Sequence, residues 1–157
     1  MKRRIVLAAL AVMMSAAAAD KPDFTGTWKL DASKSEFGKM PAPDKMERVI
    51  EHQDPAIKVK TTQSTPNGDR TTDTAYTLDG KEQKQETPRG VILYTPRWEG
   101  NVVVIDSKRS MNVQGQQVEI TGVERWSISE DGKTMTVDSK MVAPMGELTM
   151  KAVFVKQ

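Results

Sequence analysis

The sequence predicts an all-β protein in which antiparallel strands follow one another as an up-and-down meander and close into a barrel. Two observations predict this fold. Short β-prone runs occupy almost all of residues 20–157, and turn signals such as Asn67-Gly68, Asp79-Gly80 and Asp131-Gly132 separate them at roughly ten-residue intervals. Short links of this kind favour antiparallel neighbours, and closure removes the sheet edges that a β-protein must otherwise protect. We expect about eight to ten strands.

The first strand is predicted at Phe24–Leu30, where small and apolar residues alternate with polar ones. A short helical turn is predicted at Asp31–Glu36, with Asp31 or Ser33 as its N-cap. Two prolines in the segment 40–44 then force an extended loop, because each proline fixes its own φ and disfavours helix before it.

Nine further strands are predicted from β-prone runs that end at Gly, Pro or Asn turn signals. They lie at 46–53, 57–63, 70–78, 81–87, 91–98, 102–113, 117–129, 133–142 and 147–156. The runs Val91–Tyr94 and Val102–Ile105 are apolar at every position, which predicts cover on both faces of each strand. The run Lys81–Thr87 has no apolar residue, so we expect a solvated edge or the rim of an opening there.

Residues 1–19 have the three parts of a Sec-type secretory signal peptide. A basic segment, an apolar stretch at Ile5–Met14 and a run of small residues at Ser15–Ala19 follow in order. The apolar stretch is too short for a stable bilayer span. We therefore expect cleavage after Ala19 and release into the periplasm or the medium without a membrane anchor; a retained N-terminal anchor is the alternative.

This interpretation divides the chain into a signal peptide at 1–19 and one β-barrel domain at 20–157. A domain of this size can form an adequate hydrophobic core without disulfide bonds or a structural metal. The sequence contains no cysteine, so no disulfide contributes. Loss of the three basic residues of the signal peptide lowers the formal net charge from +2 to about −1. No basic stripe with interleaved aromatics is present, which argues against a nucleic-acid partner. We expect a monomer.

The first predicted strand carries a recognisable pattern. Phe24, Gly26, Trp28 and Leu30 fall on one face of it, and Phe37-Gly38 follows shortly after. This opening resembles that of the calycin superfamily, which comprises the lipocalins and the intracellular fatty-acid-binding proteins, and the whole chain resembles the lipocalin-like proteins that many bacteria export. The resemblance implies a β-barrel in which the glycine permits close packing and the tryptophan plugs one end.

The last strand departs from the fatty-acid-binding branch. That branch carries an Arg-x-Tyr pair there that holds the ligand carboxylate, and the matching positions here are Ala152 and Phe154. Carboxylate binding in that mode is therefore not expected. Lipocalins lay a basic side chain across the first-strand tryptophan, a role that the resemblance gives to Lys151 or Lys156.

Few residues are available for catalysis or for metals. His52 is the only histidine, and we interpret it as a surface residue beside a turn. One histidine and no cysteine argue against zinc, haem or copper, so no metal and no cofactor is expected. The carboxylates Glu119 and Glu124 lie on opposite faces if the strand is regular. We therefore expect no catalytic residues. An enzyme, such as a barrel isomerase or hydrolase, is a third hypothesis, after the two non-enzymatic ones given below.

The aromatic residues point to a ligand cavity. Tyr94 and Trp98 share one strand face, Trp126 lies in an alternating run, and Met150 shares a face with Leu148. Polar residues would set the orientation of a ligand. The candidates among them are Arg48, His52, Arg97, Arg109 and either Glu124 or Arg125. The predicted ligand-binding set is Arg48, Tyr94, Trp98, Arg109, Trp126 and Met150.

The same residues could equally fill the barrel, because packing density cannot be read from composition. The first hypothesis is thus a binding protein for a small apolar or amphipathic molecule. The alternative is a structural or protein-interaction module with a filled barrel, which would use the polar hairpin around residues 79–90 as its contact surface.

Overall fold

A computed structural model describes residues 20–157, so the predicted signal peptide lies outside the described residues. The strands are β1 Gly26–Leu30, β2 Met46–Gln53, β3 Ala56–Thr65, β4 Gly68–Thr77, β5 Gln83–Thr87, β6 Gly90–Glu99, β7 Val102–Val113, β8 Gln116–Ile128, β9 Thr134–Ala143 and β10 Gly146–Lys156. A single 3-10 turn, Ala32–Lys34, follows β1. In the described part of the chain, no helix is long and apolar enough to cross a bilayer.

The ten strands form one antiparallel sheet in the order β4-β3-β2-β1-β10-β9-β8-β7-β6-β5. Each strand pairs with its neighbours in sequence, apart from β4 and β5, and β1 pairs with β10, so the meander closes into a barrel with a single gap. The predicted all-β meander and its short turn are confirmed. Asp31 is the N-cap, since its carboxylate accepts the Ser33 N–H at 3.1 Å.

The gap lies between strands β4 and β5, which do not pair with each other. Gln83 bridges it with its side-chain amide: Oε1 accepts the Thr77 N–H at 3.1 Å, and Nε2 donates to the Thr77 carbonyl at 2.6 Å. One side chain thus replaces a missing ladder pair. The polar strand β5 is a sheet edge, which was one of the two expectations for it.

The barrel has two different ends. The closed end is formed by the turns at 53–56, 77–83, 99–102 and 128–134, and the open end by the hairpins at 65–68, 87–90, 113–116 and 143–146. The segment before β1 crosses the closed end, where the Trp28 indole N–H donates to the Phe24 carbonyl at 2.9 Å. Phe24 and Trp28 are completely buried and pack in one core cluster with Trp126, Met135 and Phe154.

Gly26 and Lys156 explain the signature of the first strand. The φ angle of Gly26 is +144°, a conformation that residues with a side chain rarely adopt. A Cβ there would also lie 2.7 Å from Lys156 Cε. The Lys156 side chain passes over Trp28, with its Nζ 5.4 Å from the ring centroid. Lys156 is therefore the basic residue that covers the tryptophan.

Strand β7 is buried on both faces, as its apolar sequence predicts. Val103 and Ile105 point into the core, and Val104 is buried on the outward face. Cross-strand pairing places Val104 between Arg97 and Arg125. Both guanidinium groups bind the Glu99 carboxylate, at 3.0 and 2.9 Å. This ion-pair brace covers Val104 from outside.

Candidate ligand-binding site

The open half of the barrel contains a cavity of about 160 Å³ between β4, β6, β7, β8 and β9. Its lining residues are Tyr76, Ile92, Tyr94, Ile105, Ser107, Arg109, Ile120, Thr121, Gly122, Glu124 and Met141. This volume is below the several hundred Å³ of sites for drug-sized ligands, and close to a cavity of about 150 Å³ that holds benzene. The barrel is therefore filled at one end and hollow at the other.

Two tyrosines form the aromatic wall of the cavity. The rings of Tyr76 and Tyr94 meet edge to face, with centroids 5.2 Å apart, and Tyr76 makes a second edge contact with Trp126 at 6.1 Å. Burial raises the pKa of both phenols above the ordinary range, and the nearby Glu124 carboxylate raises each further. Both therefore stay protonated at neutral pH and can donate a hydrogen bond to a ligand.

Glu124 supplies the carboxylate of the cavity. Its Oε2 accepts the indole N–H of Trp126 at 2.8 Å, two residues along the same face of β8. Glu119 lies on the outward face and pairs with Lys108 at 3.0 Å, so the two carboxylates point to opposite sides as expected. The Glu124 carboxylate holds the buried tryptophan in place and also faces the cavity.

Two inward-facing arginines lie at or near the cavity. Arg109 lies at the cavity and is exposed near the open end. Arg48 lies deeper, with its guanidinium 5.3 Å from the ring centroid of Trp126 and 5.1 Å from that of Phe154. The Nε and Nη1 atoms of Arg48 are buried and have no hydrogen-bond partner among the described residues.

The structure separates the predicted ligand-binding residues by height along the barrel. Tyr94 and Arg109 line the cavity, whereas Arg48 and Trp126 lie below it, around Tyr76. Trp98 shares the face of Tyr94, but four residues span about 13 Å of strand. The two side chains therefore lie at different heights.

Trp98 belongs to the closed end, where its indole N–H donates to the Asp54 carboxylate at 2.6 Å. Met150 does not line the cavity either. Neither side chain therefore lies with Tyr94 at the cavity. For Trp98 the reason is that residues on one strand face need not lie at the same height in the barrel.

His52 is not a surface residue, so that expectation is wrong. Its side chain is 5% exposed, and it packs between Phe24 and Trp98 with ring centroids 5.9 and 5.8 Å away. Its Nδ1 accepts the Phe24 N–H at 3.2 Å. Strand register turns His52 inward beside Ile57, and the segment before β1 covers it. It cannot orient a ligand in the cavity.

Two further candidates are corrected by the register. Arg97 and Arg125 pair across Val104 on the outward face, so of the alternatives Glu124 and Arg125 it is Glu124 that faces the cavity. Sequence reasoning also missed Tyr76 and Gly122 as lining residues. Alternation within a strand sorts its residues into two faces. Only the pairing between strands shows which of these faces points into the barrel.

A larger groove of about 620 Å³ lies outside the barrel, between the connection after β1 and the outward face of β8, β9 and β10. Glu36, Arg125, Asp138, Lys140 and Lys151 are among its lining residues. Charged side chains of both signs surround this groove and it is widely open to solvent. The inner cavity is smaller but more enclosed, so it is the better candidate site.

No protein-family model matches the chain, and comparison with curated proteins finds no match. Solved structures do match it. A protein described as the REP1-NXSQ fatty acid transporter is 16% identical with a TM-score of 0.58, over 85% of this chain and 95% of the other.

Two further structures match a similar share of the chain. The zebrafish ileal bile acid-binding protein, complexed with cholic acid, is 17% identical with a TM-score of 0.55, over 85% of this chain and 98% of the other. A secretory abundant heat soluble protein from Ramazzottius varieornatus is 15% identical with a TM-score of 0.59, over 90% of this chain and all of the other. At these identities the likeness concerns the fold, and the fold of this chain is that of the calycin-like β-barrels.

Proposed function

We propose that this protein is exported and binds a small amphipathic molecule in the open half of its barrel. The observation that carries the proposal is the cavity of about 160 Å³, with isoleucine and tyrosine walls and the polar groups of Ser107, Arg109 and Glu124 converging on it. Apolar walls with a few placed polar groups are typical of ligand sites. Burial of apolar ligand surface would supply the affinity, and the polar groups would set the orientation.

Two other observations support the proposal. Two proteins of the same fold are described as a fatty acid transporter and a bile acid-binding protein complexed with cholic acid. The sequence of residues 1–19 supports export, since it has the order of segments found in secretory signal peptides.

The proposal is tested by native mass spectrometry of the protein purified gently from the periplasm or medium of its own host. We expect a mature chain that begins at Asp20 and a co-purifying small molecule. An intact chain retained in the cytoplasm would contradict export. A clean apo mass, with no response of tryptophan fluorescence to a panel of small amphiphiles, would contradict binding.

Gly122 offers a matched control. A Cβ at Gly122 would lie 2.8 Å from Ser107 Oγ in the cavity, so Gly122→Val should fill the site and abolish the complex. Its neighbour Val123 lines the outer groove. Val123→Ser should leave the complex intact, and loss of the ligand in this variant instead would move the site to the outer groove.

The filled-barrel interaction module is the second candidate. The packed closed half and the unpaired edge of β5 favour it. It predicts that Gly122→Val changes nothing and that a charge-reversing substitution of Lys84 on the exposed β5 edge weakens association with a protein partner.

A further inference from the structure

The charged residues that face the inside of the barrel include more basic than acidic side chains. Strand pairing and alternation direct one acidic side chain inward, Glu124, against four basic residues: Arg48, Arg109, Arg70 near the open end and Lys156 at the closed end. The other acidic residues of the ten strands lie on the outward face: Glu47, Glu51, Asp69, Asp73, Glu86, Glu99, Asp106, Glu119, Asp138 and Glu147. The interior therefore favours a negatively charged ligand.

Arg48 is the most buried of these basic residues. Its Nε and Nη1 atoms are buried and have no hydrogen-bond partner among the described residues, and no carboxylate of these residues forms an ion pair with it. Glu124, the one inward carboxylate, is occupied by the indole N–H of Trp126. Two buried guanidinium nitrogens without an acceptor are costly, and contact with aromatic faces offsets only part of that cost.

The aromatic contacts hold the guanidinium in a defined place. Phe154 and Trp126 lie 5.1 and 5.3 Å from its central carbon. Phe154 occupies one of the two last-strand positions that bear the Arg-x-Tyr pair in the fatty-acid-binding branch. Here that position is a platform for an arginine from β2 instead. The planar donor set of a fixed guanidinium matches a carboxylate.

The size of the cavity limits the rest of the ligand. About 160 Å³ holds roughly one aromatic ring, whereas an extended acyl chain needs the several hundred Å³ of larger sites. Tyr76 joins the cavity to Arg48, because it lines the cavity and its ring also contacts Trp126, on which Arg48 lies. Arg48 is not itself a lining residue, so an acid group on a ring-sized ligand would have to extend past Tyr76 to reach the guanidinium.

From this arrangement we infer that the ligand is a compact monoanion, a carboxylic acid about one ring in size, whose carboxylate binds Arg48 and whose apolar part lies against Tyr76 and Tyr94. The inference rests on the proposed function, because it names the ligand class of that same cavity. It excludes long-chain fatty acids as the preferred ligands.

Calorimetry with three probes tests the inference: 3-phenylpropanoate, the neutral 3-phenylpropan-1-ol, and hexadecanoate. We expect the small acid to bind at least about tenfold more tightly than the alcohol, since a charge-assisted hydrogen bond distinguishes them. Equal affinity of acid and alcohol would overturn the role of the anion. Tighter binding of hexadecanoate would overturn the size limit. In either case the proposed binding function would stand.

The Arg48→Met variant tests the role of Arg48 in ligand preference separately from its effect on stability. It keeps an apolar stem and removes the unpaired charge, so the preference for the acid should disappear while the melting temperature is unchanged or higher. Lys60→Met, which removes a charge from the outward face of β3, should leave the preference intact. Unchanged acid binding by Arg48→Met would overturn the inference. Failure of all three probes to bind wild-type protein would overturn it together with the proposed function for this ligand class.

Discussion

The closed and open halves of this barrel are built from the same ten strands, yet their interiors differ. In the closed half, Phe24, Trp28, Met135 and Phe154 are completely buried and belong to one core cluster. In the open half, strand positions of the same inward face leave a cavity lined partly by polar and charged groups. The first half stabilises the fold, and the second is available for binding.

Two coordinates therefore locate a side chain in this barrel. Alternation along a strand decides whether a residue points in or out, and its distance from the sealed end decides whether it packs or lines a cavity. Met135 and Met141 of β9 illustrate this, because both face inward but Met135 is 0% exposed and Met141 is 39% exposed.

The largest effect is expected from Trp28→Ala, which removes the plug of the closed end. We expect a loss of about 3–5 kcal/mol in the free energy of unfolding, because the cavity left behind cannot collapse fully. Urea denaturation monitored by circular dichroism measures it. Trp28→Phe retains most of the volume and should lose less, mainly the bond to the Phe24 carbonyl, worth about 1 kcal/mol. An unchanged midpoint for Trp28→Ala would show that the closed end is not the stability core.

The two methionines of β9 provide a matched pair for the comparison. Met135→Ala should cost about 2–5 kcal/mol because it empties a packed site. Met141→Ala should change stability by no more than about 0.5 kcal/mol, since its side chain is partly exposed at the cavity. Equal destabilisation by the two substitutions in urea titrations would mean that both halves are packed alike.

A smaller effect is expected at the brace outside the closed end. Hydrogen bonds from Arg125 and Arg97 hold the pKa of the Glu99 carboxyl below its usual range. A carboxyl with a lowered pKa stabilises the folded state above its unfolded pKa, about 4.3, and this contribution is lost as the pH falls through the folded value.

Glu99→Gln should therefore lower the melting temperature slightly at pH 7, and the difference from wild type should shrink towards about pH 2. Scanning calorimetry at both pH values measures it. Glu82→Gln, at an exposed carboxylate that forms no ion pair among the described residues, tests whether any surface carboxylate behaves in this way. A Glu99→Gln difference that is the same at both pH values would show that the brace does not act through the charge of Glu99.

Much of the fold could be predicted from the sequence because turn chemistry is local. Strands β2 and β7 were predicted to the residue, and the helical turn after β1 was predicted with its cap among two candidates. The inward position of Gly26 and Trp28 followed from the resemblance on the first strand. The resemblance also gave the cover of the tryptophan to Lys151 or Lys156, and the structure shows that it is Lys156.

The site was harder to predict because it depends on contacts between distant segments. His52 is buried only because the segment around Phe24 folds over it, at a separation of 28 residues. Tyr76 and Tyr94 meet across the unpaired gap between β4 and β5, where no strand pairing links them. The height that separates Trp98 from the cavity likewise depends on where the barrel is sealed.

The central claim is that the closed half of the barrel is packed and the open half contains a cavity. Methyl NMR of the protein under xenon pressure tests it, because xenon enters preformed apolar space without requiring the natural ligand. We predict shifts for the methyl groups of Ile92, Ile105 and Ile120 at the cavity, and none for Ile50 and Ile57 in the closed half. Shifts concentrated on Ile50 and Ile57, or an interior that admits no xenon, would contradict the division into a packed end and a ligand-accepting end.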